Sequence, residues 1–334
     1  KEDDYLRYYR KLPKRHYESE PALQVSGEFL PFDQMGVLKG TLQVADLKAQ
    51  CQKYGVSITK YLAAALLWSV IRTETDGKNL KKPAALNLPV NLRSFFDSET
   101  LANFFAVVNI SWPKGRAPEN FREVLTNVSR QMDEQIVKER LEETISYNVS
   151  NEKKWYVRAI PLFIKHLAME LIFLRTSRAH TMTFSNIGPA KIREDLREDV
   201  EDFELLVGAS PKQRMKCGAV AYDGKLCLAF TSAMAENRLP EVFFRFLEDQ
   251  GIPVEQESNG ITDREHDKGR YPVIAQDRRK IKKAVRMFYL SLVFVSVLAG
   301  IVNLATYRQI PFKWSLLTAG AAAYVAMTLK FSVM

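Results

Sequence analysis

Thr181-Met182-Thr183-Phe184-Ser185-Asn186-Ile187-Gly188-Pro189 alternates small polar with apolar side chains and then turns through Gly-Pro. A period of two predicts a strand, and Gly-Pro predicts its end. An exit through Ser185 and Asn186 can leave a hydroxyl and an amide facing a cleft, where they would hydrogen-bond an acyl group or a developing oxyanion. A plain turn is the other reading of the same residues.

Downstream, Phe203–Ala209, Lys216–Tyr222 and Lys225–Ser232 read as strands, the last two joined by Asp223-Gly224, a two-residue hairpin signal. Leu239–Gln250 reads as a closing helix, with Pro240 in its first turn and Gly251 at its C-cap. Upstream, Leu86–Asn91 and Phe104–Ser111 read as strands, and Pro89 confines the first to an edge or a strand end. Val44–Tyr54 predicts a helix closed by Gly55, and Ser57 caps a second over Ile58–Arg72. The Ala63-Ala64-Ala65-Leu66-Leu67-Trp68 centre of that second helix is apolar nearly all round, which predicts burial beneath a sheet. Phe121, Val124, Leu125, Val128, Met132 and Ile136 repeat at helical steps from a start near Pro118. Trp155–Leu174 reads as a longer apolar helix. Lys165, His166 and Glu170 within it favour a soluble core helix over a membrane span. Residues up to Glu20 read as a connector, and Leu23–Gln43 as loops with one strand. Strands and helices mix without βαβ regularity, so the expected class is α+β, a mixed sheet backed by helices.

The formal net charge is +9, but its location excludes a phosphate-tracking surface and hence a nucleic-acid partner. From Tyr271 onward nine Lys/Arg face one acid, Asp277, so this tail carries +8 and residues 1–270 about +1. Met287–Tyr307 is 21 residues without a formal charge. As a helix it spans about 31 Å, matching a hydrocarbon core of ~30 Å. Trp314–Leu329 predicts a second span, running toward Met334, with Gly320-Ala321-Ala322-Ala323 suited to close helix packing. Arg278-Arg279-Lys280-Ile281-Lys282-Lys283, with Arg286, flanks the first span and predicts that the body lies on the cytoplasmic side. The expected organisation is a body over 1–254, a linker over 255–270, and a basic juxtamembrane segment with one or two transmembrane helices over 271–334. The chain starts at Lys1 and stops inside an apolar run, so it is expected to continue at both ends. Cys51, Cys217 and Cys227 match neither a zinc spacing nor a disulfide framework and read as small core residues of a reducing compartment. A two-residue turn sets Cys227 opposite Val220, which disfavours a Cys217–Cys227 bond.

The chain holds no glycine-rich phosphate loop, no Cys-x-x-Cys and no His-Glu-x-x-His. His16, His166, His180 and His266 are widely separated. His166 reads as a core or boundary residue, His266 as solvated, and His180 as preceding a strand. Arg193–Glu204 holds seven carboxylates and reads as a solvated loop, without the ligand mix of a tight metal site.

Asn87-Leu88-Pro89-Val90-Asn91-Leu92-Arg93, then Leu101-Ala102-Asn103-Phe104-Phe105, then Phe184-Ser185-Asn186-Ile187-Gly188, then Tyr222-Asp223-Gly224-Lys225-Leu226 occur in an order that resembles the second half of the condensation-domain superfamily. This is the chloramphenicol-acetyltransferase-like fold, and the resemblance is nearest to bacterial alcohol O-acetyltransferase-like proteins. It covers roughly Tyr5 to Val254 and rests on order and spacing. It implies the C-terminal lobe of a two-lobed CoA-dependent acyltransferase, with a tunnel between lobes where an acyl thioester meets its acceptor. It also implies a His-His-x-x-x-Asp-Gly motif whose second histidine is the general base. That motif is absent from these 334 residues, so no catalytic residue is expected among them. The resemblance places Ser185 and Asn186 near the acyl carbonyl, with Gly188 permitting the turn. Asn91, Arg93 and Asn103 become structural residues near the site, Arg93 as a partner for the absent motif's Asp. No metal and no bound cofactor are expected, only acyl-CoA, such as acetyl-CoA, as co-substrate, with a small alcohol or lipid-like acceptor. An amide-forming condensation domain and a non-catalytic membrane-bound module remain as alternatives.

Overall fold

The computed structural model describes residues 4–11, 20–31, 34–75, 79–153, 160–209 and 213–262. Its strands are β1 (Gly36–Gln43), β2 (Ala84–Asn91), β3 (Phe105–Trp112), β4 (Met182–Pro189), β5 (Met215–Tyr222), β6 (Lys225–Ser232) and β7 (Glu255–Ser258). They form one mixed sheet in the order β3-β2-β4-β5-β6-β1-β7. The pairs β2–β4 and β4–β5 are parallel, and all others antiparallel. Its helices are α1 (Asp4–Arg7), α2 (Val44–Tyr54), α3 (Ile58–Thr75), α4 (Phe121–Gln135), α5 (Lys138–Glu152), α6 (Leu162–Ser177) and α7 (Arg238–Asp249), with short 3-10 turns at Leu92–Ser94 and Glu194–Asp199.

Strand alternation assigns the two faces of the sheet. Leu86 and Leu88 of β2, Val108 and Ile110 of β3, Phe184 of β4, Cys217 and Ala219 of β5, and Leu228 and Phe230 of β6 point to the helices and are buried. The all-round apolar centre of α3 lies at the middle of that layer, with Leu62, Ala63, Ala64, Ala65, Leu66 and Leu67 fully buried against α4, α7 and β2. α7 adds Phe243 and Phe244, whose rings meet Phe230 of β6 edge-on at 5.3 and 5.4 Å. The hairpin β5–β6 turns through Asp223 and Gly224, both at positive φ, the geometry of a two-residue primed turn. It sets Val220 opposite Cys227 and Phe230 opposite Cys217, and all three cysteines are buried free thiols. Burial pushes the Cys51 thiol up to about 11.

Several sequence expectations change. Pro89 lies in an interior strand, yet at a strand end with respect to one neighbour. Its pair, Val107, is on β3, and the last β2–β4 pair is Asn87–Thr183, so its missing N–H falls beyond that ladder. Phe203–Ala209 is not a strand. It is an extended segment laid across the sheet, with no strand as its ladder partner. Glu255–Ser258, at the head of the expected linker, is the edge strand β7, because Leu38–Thr41 of β1 still offers a free edge. The N-terminal residues are more than a connector: the Tyr5 hydroxyl bridges the backbone of Phe105, and its ring packs on Phe104 at 5.1 Å. α6 exists, but not as a core helix. Leu162, Met169, Leu171 and Ile172 on it are 69%, 61%, 60% and 57% exposed, and His166 is exposed too. α5 was not foreseen, although Leu141, Ile145 and Val149, all buried, recur at i+4 steps. Among the described residues no single helix is long and apolar enough to cross a membrane. The expected spans over 287–307 and 314–334, the basic cluster before them, and His16 and His266 lie outside the described residues.

Candidate functional site

The helices cover one face of the sheet and leave part of the other open. On the uncovered side, the segment around Leu205 runs over β5 and β6. The Phe203 ring meets Tyr222 edge-on at 5.1 Å, the Thr231 hydroxyl donates to the Val207 carbonyl, and Glu204 pairs with Lys39 of β1, which also pairs with Glu257 at 2.9 Å. Two carboxylates on one ammonium hold the Lys39 amine above its ordinary range, its hydrogen bond to Glu204 foremost. The outward residues of β3, β2 and β4 are left uncovered or half-covered: Phe105, Val107 and Asn109, then Pro89 and Asn87, then Thr183 and Ser185.

β4 brings the expected site residues to the centre of the sheet. Ser185, level with Gly218 of β5, points to the open face half-exposed, and its hydroxyl has no partner among the described residues. Asn186 points the other way. Its amide nitrogen donates to Thr59 Oγ1 on α3 at 3.1 Å, and its oxygen accepts the Gly188 N–H at 2.9 Å. It braces the strand exit against the first turn of α3. The β4–β5 register slips between Asn186 and Pro189. Gly188 sits at φ 74 in that slip with open space where a Cβ would lie, so its requirement is conformational and not steric.

Asn91 and Arg93 organise the loop between β2 and β3. Asn91 Oδ1 accepts the Arg93 backbone N–H at 3.1 Å and its guanidinium at 3.3 Å. The same guanidinium reaches the Thr100 carbonyl at 2.9 Å and the Ala102 carbonyl at 2.5 Å. Arg93 therefore ties its own loop together, and Asn103 stands exposed beside it. The loop delivers Phe104, 1% exposed, to the core and starts β3 at Phe105.

His180, just before β4, is buried, and its Nδ1 has no hydrogen-bond partner among the described residues. Burial pushes its pKa down, so it is a neutral imidazole at ordinary pH. Among the described residues no nucleophile is paired with it. Among the described residues no cluster of His, Cys, Asp or Glu has the geometry to hold a metal, and the acidic run Glu194–Asp199 is an exposed turn. A shallow depression of 610 Å³ lined by Trp112, Arg122, Thr126 and Arg130 lies along α4, on the opposite, helix-covered side from Ser185.

The residue the sequence did not single out is Lys216 of β5. The register pairs it with Thr183, on the same face as Ser185. It is half-buried, its amine makes no hydrogen bond or ion pair with another described residue, and desolvation lowers its pKa. The available signal was a lysine opening an otherwise apolar strand, Lys216-Cys217-Gly218-Ala219-Val220-Ala221.

No family model matches the chain. No curated protein matches it either. Solved structures do. A condensation domain that mediates chain release from the enacyloxin polyketide synthase aligns at 12% identity and a TM-score of 0.40, over 67% of this chain and 42% of that one. The epimerization domain of the third module of tyrocidine synthetase B aligns at 12% and 0.41, over 71% and 52%. The wax ester synthase/diacylglycerol acyltransferase from Marinobacter aquaeolei VT8 aligns at 10% and 0.40, over 70% and 53%. The chain thus spans about half the length, or less, of these three structures.

Proposed function

We propose that this chain is the far-wall lobe of a membrane-anchored O-acyltransferase of the alcohol acetyltransferase-like kind. In this reading an acyl group passes from an acyl thioester, such as acetyl-CoA, to the hydroxyl of a small alcohol or lipid-like acceptor. The observation that carries it is the convergence of three separate motif segments. Asn87–Arg93 and Leu101–Phe105 flank one short loop, at the end of β2 and the start of β3, and Phe184–Gly188, from much further along the chain, joins them on the adjacent strand β4. There they present Ser185 and its neighbours on one open face.

In the proposed reaction the acceptor oxygen attacks the thioester carbonyl, a C–O bond forms and the C–S bond breaks. The acceptor proton passes through a general base to the departing thiolate, which leaves as free thiol. In this reading the Ser185 hydroxyl donates a hydrogen bond to the carbonyl oxygen as charge develops on it. The base is supplied outside these 334 residues, since no paired His and Asp of the required motif occurs among them. The uncharged run 287–307 and the apolar run 314–334 hold the lobe at a membrane with its basic flank and body on the cytoplasmic side.

The test is acceptor-dependent thiol release from acetyl-CoA. The reading frame extended upstream through a His-His-x-x-x-Asp-Gly motif should release thiol with a medium-chain alcohol, and the 334-residue chain alone should not. Release by the chain alone would remove the assignment of the base to other residues. An extended protein that contains no such motif and releases no thiol would favour a non-catalytic membrane-bound module. Ser185→Ala in the active protein should lower kcat about 10- to 100-fold with little change in KM.

A further inference from the structure

Strand register lines up four polar side chains in one transverse row on the open face. Asn109 of β3 is level with Asn87 of β2, Asn87 with Thr183 of β4, and Thr183 with Lys216 of β5. Neighbouring polar groups in a sheet commonly bond one another or a covering loop, as Thr231 at the end of this row does with the Val207 carbonyl. None of these four side chains makes a hydrogen bond or ion pair with another described residue. The next row toward the β4 exit is apolar or small: Val107, Pro89, Ser185 and Gly218. The Leu205 carbonyl stands directly over Gly218, where a Cβ would lie only 2.0 Å from its oxygen. The segment around Leu205 is thus a wall, and β3, β2 and β4 are a floor with one polar and one apolar row.

We propose that Lys216, with Thr183 beside it and Asn87 one strand further along the row, is an oxyanion subsite: it receives a carboxylate or phosphate carried by a substrate whose apolar portion lies along the Val107–Pro89–Ser185 row. A half-buried ammonium without a counter-charge is the group that gains most from such a ligand, because part of its hydration has already been removed. Another lysine on this face, Lys39, shows the contrast, since two carboxylates of the protein itself already neutralise it. Thr183 next to Lys216 and Asn87 beyond it supply uncharged donors along the row, the set that holds an oxyanion in place without adding repulsion. The inference deepens the acyl-transfer reading and rests on it for the identity of the apolar portion: one of the two substrates bears an acidic group.

The test uses the full 334-residue chain in zwitterionic nanodiscs and three matched probes: hexanoate, hexyl phosphate and hexanol, titrated by calorimetry. At least one anion should bind about tenfold or more tightly than hexanol, and the tighter anion identifies the source of the charge. Lys216→Met should abolish that preference while leaving hexanol binding unchanged, and Lys216→Arg should retain most of it. Anions that bind no better than hexanol, or an anion preference that survives Lys216→Met, would overturn the subsite. Should the upstream-extended protein release no thiol while the preference still disappears in Lys216→Met, the acyl-transfer reading falls and the oxyanion subsite stands.

Discussion

A methyl group at position 218 would land 2.0 Å from the Leu205 carbonyl oxygen and 2.9 Å from its Cγ, both far inside van der Waals contact. Gly218 is therefore what lets the segment around Leu205 lie flat on β5. Gly218→Ala should cost about 1–3 kcal/mol of stability, as overpacking does, measured as a lower urea midpoint at unchanged m-value. His180 gives a second prediction at this scale. Burial favours its neutral form, so its folded pKa lies below the ordinary 6.5. As pH falls past 6.5 the unfolded chain takes up this proton before the folded one. The contribution is complete above pH 6.5 and is lost as pH falls toward the folded value, with a slope of at most about 1.4 kcal/mol per pH unit. The stability difference between the wild type and His180→Asn, followed by urea titration from pH 8 to 5, should decline over that window, and a pH-independent difference would refute the burial account. The strand and turn that carry Ser185 were legible because they are encoded within nine adjacent residues. The row that holds Lys216 was not, because register between strands distant in sequence brings Thr183 beside it and Asn87 one strand further along.

At the scale of elements, the exposed side of β3 shows how this sheet protects an edge. Ser111 donates its N–H to Gln131 Oε1 at 3.0 Å and accepts from Gln131 Nε2 and Asn127 Nδ2 at 2.7 and 2.9 Å. Gln135 caps the Asn109 carbonyl at 2.9 Å, and the Tyr5 hydroxyl occupies Phe105 at the other end. α1 and α4 thus supply by side chain the ladder that an eighth strand would supply by backbone. Gln131→Ala removes two of these bonds and should cost about 1–3 kcal/mol. The Ser111 amide should then exchange with deuterium faster than its neighbours, and unchanged protection would mean that the edge does not depend on Gln131. Helices and hairpins with a local period were readable: α2, α3, α4, α7 and β5–β6 stand where their apolar spacing and turn residues place them. β7 was not, since Glu255-Gln256-Glu257-Ser258 has no apolar alternation and becomes a strand only because β1 offers it an edge. The segment Phe203–Ala209 misled in the opposite sense. Its alternation is real, and it comes from packing onto a sheet face without a ladder.

For the molecule as a whole, one face of the sheet is closed by α3, α4 and α7, while the other is half-closed by the Leu205 segment and carries the candidate site. α6 belongs to neither layer. Its mid-segment charges Lys165, His166 and Glu170 favoured a soluble core helix over a membrane span, whereas the fold leaves Leu162, Met169 and Ile172 more than half exposed. These three share one side of the helix, at i, i+7 and i+10. The difference between a core helix and a surface one is measurable without knowing what meets that surface. Burying even one carboxylate in a packed core costs several kcal/mol, whereas an exposed substitution typically changes stability by less than about 0.5 kcal/mol. Met169→Glu and Ile172→Glu, singly and together in the full chain held in nanodiscs, should leave the urea midpoint of the body within that smaller range. Val128→Glu, on the buried side of α4, should unfold it. Loss of the cooperative transition in Met169→Glu would return α6 to the core and overturn its placement on the surface.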